Sequence, residues 1–321
     1  MTQIKKETTN YIIEQAVCPI CSSANSKQIL KGKERLHHST TSVFGVVKCL
    51  DCDLCYTNPR VTEGTIGYFY PEDYHPYLNT AMNEAELNSA IQSHLKKGVY
   101  YIPTLSNDKK RVLEIGCATG EFVGYLKQIG WDAYGVEMNK TSAESAMKNY
   151  GVNVFNGRFE ESKFEPDYFD YVAMWHTMEH VYKPQNVLNE INKIIKPGGQ
   201  IAISLPRFEC LESRIFGRYW YALDLPRHIT HFSVSRIKKL FSDSGFSVDE
   251  IIFHKNMNNI AGSTLYILDD LIFYRNGTER FSFARKMIQK ALTIILRPFR
   301  GIYAFFKFTG RMTVVAKKKN L

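Results

Sequence analysis

The sequence predicts a doubly wound, mostly parallel α/β sheet, preceded by a small cysteine module and carrying a helical insertion before its last strand. Three observations support this fold class. Apolar, strand-like runs alternate with helix-like segments from Arg111 onward, which is the pattern of a parallel sheet covered by helices. Two C-x-x-C pairs stand near the start of the chain, and a long basic and apolar stretch precedes the final strand-like run. A length of 321 residues is sufficient for one large domain and a smaller module.

The composition is that of an ordinary globular protein, with 44% apolar and 23% charged residues. Its net charge of +9 arises at one end, because residues 281–321 hold ten Lys and Arg and no acidic residue. The rest of the chain holds 31 basic and 32 acidic residues, so an anionic partner is expected at the C-terminal segment. The first ten residues contain no apolar run of the secretory type. We therefore expect a cytoplasmic protein whose thiols are free or metal-bound.

The cysteine pattern predicts a zinc-ribbon-like module. "CPIC" and "CLDC" are two C-x-x-C knuckles with 27 residues between them, a pattern that suits four thiolates around a tetrahedral zinc ion. A four-sulfur site has no open position, so this zinc is expected to be structural. The alternative is a small β-module with reduced cysteines. The predicted ligands are Cys18, Cys21, Cys49 and Cys52, and Cys55 is left over on the strand that follows.

An aromatic linker follows the module. Rings at this density indicate a core or a domain interface, and a lid over a cleft is the functional alternative. Residues 83–101 then predict a helix that leads into the main domain. The rings of the segment "YFYPEDYHPY" are Tyr68, Phe69, Tyr70, Tyr74 and Tyr77.

The main domain is predicted from its alternating elements. Its strands are "RVLEI", "AYGVE", "VNVFNG", "FDYVAMW" and "QIAISLP", and its helices are "GEFVGYLKQIG", "TSAESAMKNYG", "KPQNVLNEINKII" and "SVSRIKKLFSDSGF". The segments "SVDEIIFH" and "RMTVVAKK" suit a closing antiparallel hairpin with the insertion between its arms. Ligands of such sheets bind beyond the carboxyl ends of the strands.

The turn after the first of these strands, "EIGCATGEF", indicates the class of ligand. Gly116 and Gly120 flank Ala118, so the three-glycine spacing that cradles a pyrophosphate is not met. Glu121 opens the following helix, where its charge would repel a phosphate. Glu137 closes the second strand and can accept both hydroxyls of a ribose, a position that NAD enzymes share. The turn favours a ligand with a cationic centre and no phosphate.

At these motifs the chain resembles the class I S-adenosylmethionine-dependent methyltransferases, whose sheet is Rossmann-like. The resemblance covers Arg111 to Phe246 and rests on "VLEIGCATGEF", "GVEMN", "FDYVAMWHTMEHV" and "KPGG". It implies that the glycine turn holds the methionine part, the acid after the second strand holds the ribose, and the loop after the third strand meets adenine. Ala118 departs from the glycine usual in the family, and an α/β domain for another ligand is the alternative. The cofactor-binding residues implied are Glu114, Gly116, Ala118, Gly120, Glu137, Met138, Phe159, Glu160 and Trp175.

The segment "WHTMEHVYKP" follows the fourth strand and supplies candidate catalytic groups. His176, Glu179 and His180 are spaced i, i+3 and i+4, so on a helical turn they would share one face. Methyl transfer to a hydroxyl needs alignment of the reacting atoms and a base that titrates near neutral pH. His180 is the first candidate for this base and His228 is the second.

A divalent metal at His176, Glu179 and His180 is a second interpretation of these groups. Ubiquinone-pathway O-methyltransferases and plant small-RNA 2′-O-methyltransferases carry a similar Glu-x-x-Glu-His that holds a metal. The RNA enzymes add a later histidine, in a stretch that "PRHITHF" resembles. Here His176 replaces the first Glu, which makes the set richer in imidazole than magnesium prefers. A structural role for Glu179 and His180 is the third interpretation.

The insertion predicts an amphipathic helix that lies on an anionic membrane surface. Arg297 interrupts the apolar run too early for a spanning helix, and Pro298 should break or kink it. Dimerisation through the apolar face and capping of the protein's own core are the alternatives. Bulky aliphatic residues between the cations, and scattered cations in the cysteine module, argue against nucleic acid. The predicted polar stripe is Lys286, Lys290, Thr293 and Arg297, and the apolar side is Phe281, Ala284, Ile288, Ala291, Leu292 and Ile295.

The chain also resembles bacterial proteins that join a cysteine module to this fold, and that resemblance implies methyl transfer to a hydroxyl of a sugar or a lipid-linked glycan. With the basic insertion, it predicts an enzyme peripheral to the inner face of the cell membrane. The alternatives are O-methylation of a quinone-precursor phenol, C-methylation of a deoxysugar, and a non-catalytic scaffold that senses the cofactor at the membrane. The predicted divisions are residues 1–82 for the cysteine module and aromatic linker, 83–254 for the methyltransferase domain, 255–310 for the insertion and 311–321 for the terminal strand.

Overall fold

The structure, a computed structural model, describes residues 10–37, 39–71, 74, 81–105, 110–273 and 282–319. The predicted ring of Tyr77 and the predicted apolar position Phe281 lie outside these residues, as does the side chain of Ala284. Two sheets organise the described chain, and a two-stranded pair accompanies the smaller of them.

The cysteine module is built from short antiparallel strands. In the three-stranded meander β2–β3–β4, the first cysteine pair precedes β2 and the second lies at the end of β3 and in the connection to β4, with Ser26 opposite Cys49, and β1 pairs with β5. The strands are β1 (Ile13–Glu14), β2 (Ser26–Lys33), β3 (Val43–Cys49), β4 (Cys55–Thr57) and β5 (Arg60–Val61).

The main sheet has seven strands in the described part of the chain, in the order β12-β13-β10-β9-β6-β7-β8. Strands β8, β7, β6, β9 and β10 are parallel, and β13 runs antiparallel between β10 and β12. The predicted mostly parallel, doubly wound sheet with a closing hairpin is therefore confirmed. The remaining short strand, β11, pairs with β4 of the module. The bounds are β6 (Arg111–Ile115), β7 (Asp132–Glu137), β8 (Asn153–Asn156), β9 (Phe169–Trp175), β10 (Ile195–Pro206), β11 (Thr230–His231), β12 (Phe246–Phe253) and β13 (Arg311–Lys318).

The helices cover both faces of this sheet. The first of them begins at a capping box, in which the Asn83 side chain accepts from the Glu86 amide and Glu86 accepts from the Asn83 amide. The helix predicted over residues 83–101 ends earlier, at Lys97, because Gly98 adopts a left-handed conformation with φ 74°. The helices are α1 (Glu84–Lys97), α2 (Glu121–Gln128), α3 (Lys140–Tyr150), α4 (Pro184–Ile194), α5 (Leu211–Phe216), α6 (Val234–Asp243), α7 (Asn258–Leu268), α8 (Ser282–Leu296) and α9 (Arg300–Phe305).

The sheet order places a crevice between β6 and β9. Successive strands run outward from β6 through β7 to β8, whereas β9 and β10 lie on the other side of β6. All seven residues of β9 are buried, so its apolar run forms the centre of the core. Ligands of open α/β sheets bind where the strand order reverses, at the carboxyl ends. The site is therefore expected beyond Ile115 and Trp175.

The insertion between β12 and β13 is helical, with a break where proline stands. Helix α8 ends at Leu296, a 3₁₀ turn spans Arg297–Phe299, and α9 resumes at Arg300. Pro298 lacks the amide that a continuous α-helix would use there. The predicted interruption at Pro298 is thus observed, and β13 returns the chain to the main sheet.

Candidate functional site

The turn after β6 has a backbone that only small residues accommodate easily. Gly116, Ala118 and Gly120 all have left-handed φ angles, of 77°, 45° and 85°. A Cβ atom at Gly116 would lie 2.5 Å from Thr177 Oγ1, so the turn also approaches the loop after β9 closely. Alanine in the left-handed region costs on the order of 1 kcal/mol, which explains why glycine is the usual residue at position 118 of such turns.

Glu137 joins this turn to the end of β7. Its Oε2 accepts from the Ala118 amide at 2.9 Å and its Oε1 accepts from the Asn139 amide at 2.7 Å. Asn156, at the end of β8, donates to the Glu137 carbonyl at 2.9 Å. Burial raises the pKa of Glu137, and the amide of Asn139 is the largest opposing influence. The structure thus gathers three strand ends around one buried carboxylate.

Glu114 lies on β6 below the turn and is 4% exposed. Its Oε2 has no hydrogen-bond partner among the residues that the structure describes. Burial, reinforced by Glu121, raises the pKa of Glu114 well above its usual range. A buried carboxyl oxygen that no described residue satisfies is a group with which a cationic ligand would interact favourably.

The other residues implied for the cofactor divide into two groups. Trp175 forms part of an aromatic wall, with its ring centroid 5.0 Å from those of Tyr100 and Phe122. Its Nε1 has no hydrogen-bond partner within the described chain. The second group follows strands β7 and β8: Met138 is 66% exposed, whereas Phe159 is only 7% exposed. Phe159 therefore packs into the core, and Glu160 beside it faces solvent.

The candidate catalytic groups come together from two loops. Ligand atoms of Glu179, His180 and His228 lie within 4.8 Å of one another. His176 contacts this cluster through Nδ1, which is 3.3 Å from Glu179 Oε1. The metal set predicted from the sequence, His176, Glu179 and His180, is therefore not the set that converges, because His228 takes the third position. The predicted helical turn is a short 3₁₀ helix, Met178–His180, and His176 precedes it with φ 55°.

Both histidines of the cluster have a defined tautomer. His180 Nδ1 is 3.0 Å from the Arg227 carbonyl oxygen, and His228 Nδ1 is 3.0 Å from the Ala222 carbonyl oxygen. A carbonyl oxygen only accepts, so each Nδ1 carries a proton and donates it, and the Tyr70 hydroxyl oxygen, 2.8 Å from His180 Nδ1, then accepts from the same nitrogen. Each Nε2 consequently has a lone pair that is available to a proton or a metal ion.

Burial shifts the pKa values of Glu179, His228 and His176 toward their uncharged forms. Burial raises the pKa of Glu179 to about 7, opposed by His180 and Arg311. Burial also lowers the pKa of His228 well below its usual range, with His180 adding to the effect, and lowers that of His176 to about 3. Near pH 7 the rings of His176 and His228 are uncharged, and Glu179 Oε2 has no hydrogen-bond partner in the described residues.

The four predicted zinc ligands converge at the end of the module. The Sγ atoms of Cys18 and Cys52 are 3.5 Å apart, as are those of Cys21 and Cys49. A zinc ion with four sulfur ligands at about 2.3 Å separates them by about 3.8 Å, so the arrangement fits. Cys55 stands apart on β4, where burial raises its pKa to about 12.

Sequence reasoning missed several residues that contact the histidines. Tyr70 Oη lies 2.8 Å from His180 Nδ1, although its segment predicted only an interface or a lid. Asp224 Oδ2 lies 3.7 Å from His228 Nε2, and Arg227 is fully buried beside it. The i, i+3 spacing of Asp224 and Arg227 in "DLPRH" was an available signal, because such pairs bridge one turn.

Comparison with known proteins identifies the fold family. A family model described as a methyltransferase domain matches residues 87–251, just over half of the chain. The mitochondrial ubiquinone biosynthesis O-methyltransferase of Schizosaccharomyces pombe is 29% identical over 102 residues, which cover 30% of this chain and 37% of that protein. A ubiquinone biosynthesis O-methyltransferase of Pseudomonas fluorescens is 32% identical over 101 residues, which cover 30% of this chain and 44% of that protein. The chain thus spans less than half the length of either relative.

Among solved structures, phosphoethanolamine N-methyltransferase 2 of Haemonchus contortus in complex with S-adenosyl-L-methionine is similar with a TM-score of 0.51. The identity is 15%, and the match covers 92% of this chain and 69% of that one, so the similarity concerns the fold. The family match and the seven-stranded sheet agree. The chain belongs to the methyltransferase-domain family, with the sheet of the class I S-adenosylmethionine-dependent methyltransferases and a cysteine module in front of it.

Proposed function

We propose that the protein transfers a methyl group from S-adenosylmethionine to a hydroxyl group of a second substrate. One observation supports this proposal above the others. The acid that would hold the ribose, Glu137, accepts from the turn amide of Ala118, and Gly116 of that turn lies against Thr177 in the loop that carries His180. The glycine turn that would hold the cofactor and the histidine cluster that would supply the base therefore lie at the same edge of the sheet.

The residues at the turn suit S-adenosylmethionine in charge and shape. Gly116, Ala118 and Gly120 would hold the methionine part, and Glu137 would accept from the ribose. The acidic groups Glu114 and Glu121 would face a sulfonium and an ammonium group rather than a phosphate. S-adenosylmethionine supplies an electrophilic methyl group when bound.

The histidine cluster would remove the proton from the acceptor hydroxyl. His180 is partly exposed at the site, and its Nδ1 is held by the Arg227 carbonyl. Its Nε2 is thereby the basic atom, as in other histidine bases oriented by a partner on Nδ1. His228 is more deeply buried and is oriented in the same way by Ala222. His180 therefore remains the first candidate for the base and His228 the second.

Replacing His180 with alanine is expected to leave cofactor affinity unchanged and to slow methyl transfer by about 100-fold to 10,000-fold, the range typical of a general base. Affinity would be measured by calorimetry with S-adenosylhomocysteine. Transfer would be measured with tritiated methyl donor into a lipid-linked glycan fraction and, separately, into a phenolic quinone precursor. Unchanged transfer in whichever fraction accepts the label would contradict the assignment.

A metal-assisted version of the same reaction is the second candidate. Glu179, His180 and His228 offer three ligand atoms within 4.8 Å, and both imidazoles donate Nδ1–H to a carbonyl oxygen, as metal-ligating histidines usually do. Two imidazoles and one carboxylate suit zinc, manganese or iron better than magnesium. Metal analysis would then find one equivalent beyond the zinc of the four cysteines, and the His180→Ala protein would lose that equivalent.

The acceptor that we propose is a hydroxyl of a sugar or a lipid-linked glycan. The support is the insertion, which would bring the site close to a membrane where lipid-linked acceptors are found. A quinone-precursor phenol, C-methylation of a deoxysugar and a non-catalytic cofactor-sensing scaffold are the alternatives. The two labelled fractions separate the sugar from the phenol, and the scaffold predicts cofactor binding with no transfer to either.

The surface of α8 and α9 is the proposed membrane contact. Cations accompany its exposed apolar side chains, with Lys286, Lys290 and Arg297 on α8 and the turn after it, and Lys307 following α9. This combination favours binding in the plane of an anionic bilayer. Among the described residues, no helix has the length and apolar character that a bilayer-spanning segment needs. The insertion surface is defined by Met287, Ile294, Ile295, Phe299, Ile302, Phe305, Phe306 and Phe308, which are 39% to 79% exposed.

Replacing both Phe305 and Phe306 with serine is expected to reduce pelleting with phosphatidylcholine–phosphatidylglycerol vesicles at least tenfold. Each ring is more than half exposed, and its burial in lipid is worth about 1.5–3 kcal/mol. Ile129→Ser is the control, because Ile129 is 50% exposed and lies just after α2, outside the insertion. If the double variant pellets as well as Ile129→Ser, membrane binding through these rings is contradicted. If light scattering also shows a dimer that only the double variant loses, the apolar surface is a dimer interface.

A further inference from the structure

We infer that the cysteine module positions the two candidate catalytic histidines, by holding the segment Arg227–His231, which includes His228, against the turn that carries His180. This inference rests on the proposed function only for the role given to His180 and His228. The contacts themselves concern a segment that is bound on one side by the methyltransferase domain and on the other by the module.

On the first side, the segment is hydrogen-bonded to the turn that carries Glu179 and His180. The Ile229 amide donates to the Glu179 carbonyl at 2.8 Å. His180 Nδ1 donates to the Arg227 carbonyl at 3.0 Å. Displacement of the segment would therefore release both the backbone of Glu179 and the ring of His180, and it would carry His228 away with it.

On the second side, the segment forms a strand of the module's own sheet. Strand β11 pairs antiparallel with β4, with Thr230 opposite Tyr56 and His231 opposite Cys55. The Thr57 amide donates to the Ile229 carbonyl at 2.9 Å, and the fully buried Thr57 hydroxyl donates to the His228 carbonyl at 2.6 Å. Ile229 thus links Thr57 of the module to Glu179 of the site through two successive backbone hydrogen bonds.

A buried ion pair fixes the start of the segment. The Arg227 guanidinium lies 3.1 Å from Glu34 Oε1 and 2.5 Å from Asp224 Oδ1, and it donates to the Phe69 carbonyl at 3.3 Å. The side chains of Arg227 and Glu34 are both 0% exposed. Glu34 is itself held by the amides of Leu36, His37 and Ser39, so the module presents a rigid carboxylate to the segment.

Two of the predicted zinc ligands lie at the end of β3 and in the connection that leads into β4, the strand that holds the segment Arg227–His231. Strand β3 ends at Cys49 and β4 begins at Cys55, so the second cysteine knuckle is the connection between the two strands. Zinc would tie that knuckle to Cys18 and Cys21 and so fix β4, on which Thr57 lies. We therefore expect the zinc site, although structural, to determine whether the histidines are in place.

The test compares the zinc-loaded full chain, the same protein after chelation, and the pair Thr57→Val and Thr57→Ser. Valine keeps the shape and removes the hydroxyl donor, whereas serine keeps the donor. Two measurements would be made on each protein. Hydrogen exchange would be followed in peptides that cover residues 224–232. ¹⁵N-histidine NMR would report the tautomers of His180 and His228. Calorimetry with S-adenosylhomocysteine would report the cofactor site independently.

In Thr57→Val we expect exchange across residues 227–231 to rise at least about fivefold to tenfold, because the variant loses the buried hydrogen bond to the His228 carbonyl and the contact of the same hydroxyl with His231 Nε2 at 3.1 Å. The His228 Nδ1–H signal should be lost by exchange broadening, and serine should restore both readouts. Chelation should give a larger rise in the same peptides, with affinity for S-adenosylhomocysteine within twofold of the zinc-loaded protein. Unchanged exchange and tautomer signals in both Thr57→Val and the chelated protein would overturn the inference. Failure of the zinc-loaded protein to bind S-adenosylhomocysteine would instead contradict the proposed function.

Discussion

The Glu137→Ala protein is expected to lose affinity for S-adenosylhomocysteine by at least about 100-fold. Its carboxylate would accept from both ribose hydroxyls, and a hydrogen bond to a charged group is worth about 1.5–3 kcal/mol. The substitution also removes the acceptor that holds the Ala118 amide at 2.9 Å, so the glycine turn loses an anchor. Isothermal titration calorimetry would measure the affinity directly.

Glu144→Ala is the matched control for this prediction. Glu144 is an exposed acid on α3, in a solvent-accessible i, i+4 pair with Lys140, and its removal should leave the affinity unchanged. A Glu137→Ala protein that is folded and binds S-adenosylhomocysteine as tightly as the unmodified chain would remove the ribose assignment. Tight uptake of a nicotinamide or flavin coenzyme in its place would contradict the cofactor assignment as a whole.

Arg227→Leu is expected to destabilise the protein by about 3–5 kcal/mol, the cost typical of removing one partner from a buried ion pair. The substitution leaves Glu34 with 0% of its side chain exposed and no counter-charge. It also leaves the Phe69 carbonyl without the donor that it has in the structure. Urea denaturation followed by tryptophan fluorescence would measure the change.

Arg214→Leu provides the control, because Arg214 is exposed and surface substitutions usually change stability by less than about 0.5 kcal/mol. Adding Glu34→Gln to the Arg227→Leu protein should recover part of the loss, since it neutralises one of the two stranded carboxylates. A loss of under 1 kcal/mol in the single variant would show that the pair is hydrated and that it does not hold the segment.

Much of the main sheet could be predicted because its signals are local. The strand "FDYVAMW" coincides with β9, since a mostly apolar run with a single charged residue, Asp170, leaves little choice of register. The linking helix was less well bounded. Apolar periodicity continues past Lys97, but the left-handed Gly98 ends α1, and periodicity alone does not report the conformation of one glycine.

The candidate site could be predicted only in part, because only some of its contacts join residues that are close in the sequence. Glu137 and the glycine turn are separated by a short stretch of chain, and their roles follow from position on adjacent strands. By contrast, Glu34 and Arg227 are 193 residues apart. No local pattern in "KGKERL" indicates that Glu34 is buried, so its partnership with Arg227 requires the folded chain. For the same reason, the sequence did not show that His228, rather than His176, would lie with Glu179 and His180.

The strand that the methyltransferase domain adds to the module has a consequence for how the protein can be divided. A fragment cut at the boundary proposed near residue 82 would expose the edge of β4, whose backbone groups are satisfied by β11 in the intact chain. Open strand edges recruit other chains, so such a fragment should self-associate. The two pieces should behave as complementary halves that become soluble when they are produced together, and grafting the module onto a related enzyme should require the "RHITH" segment to accompany it.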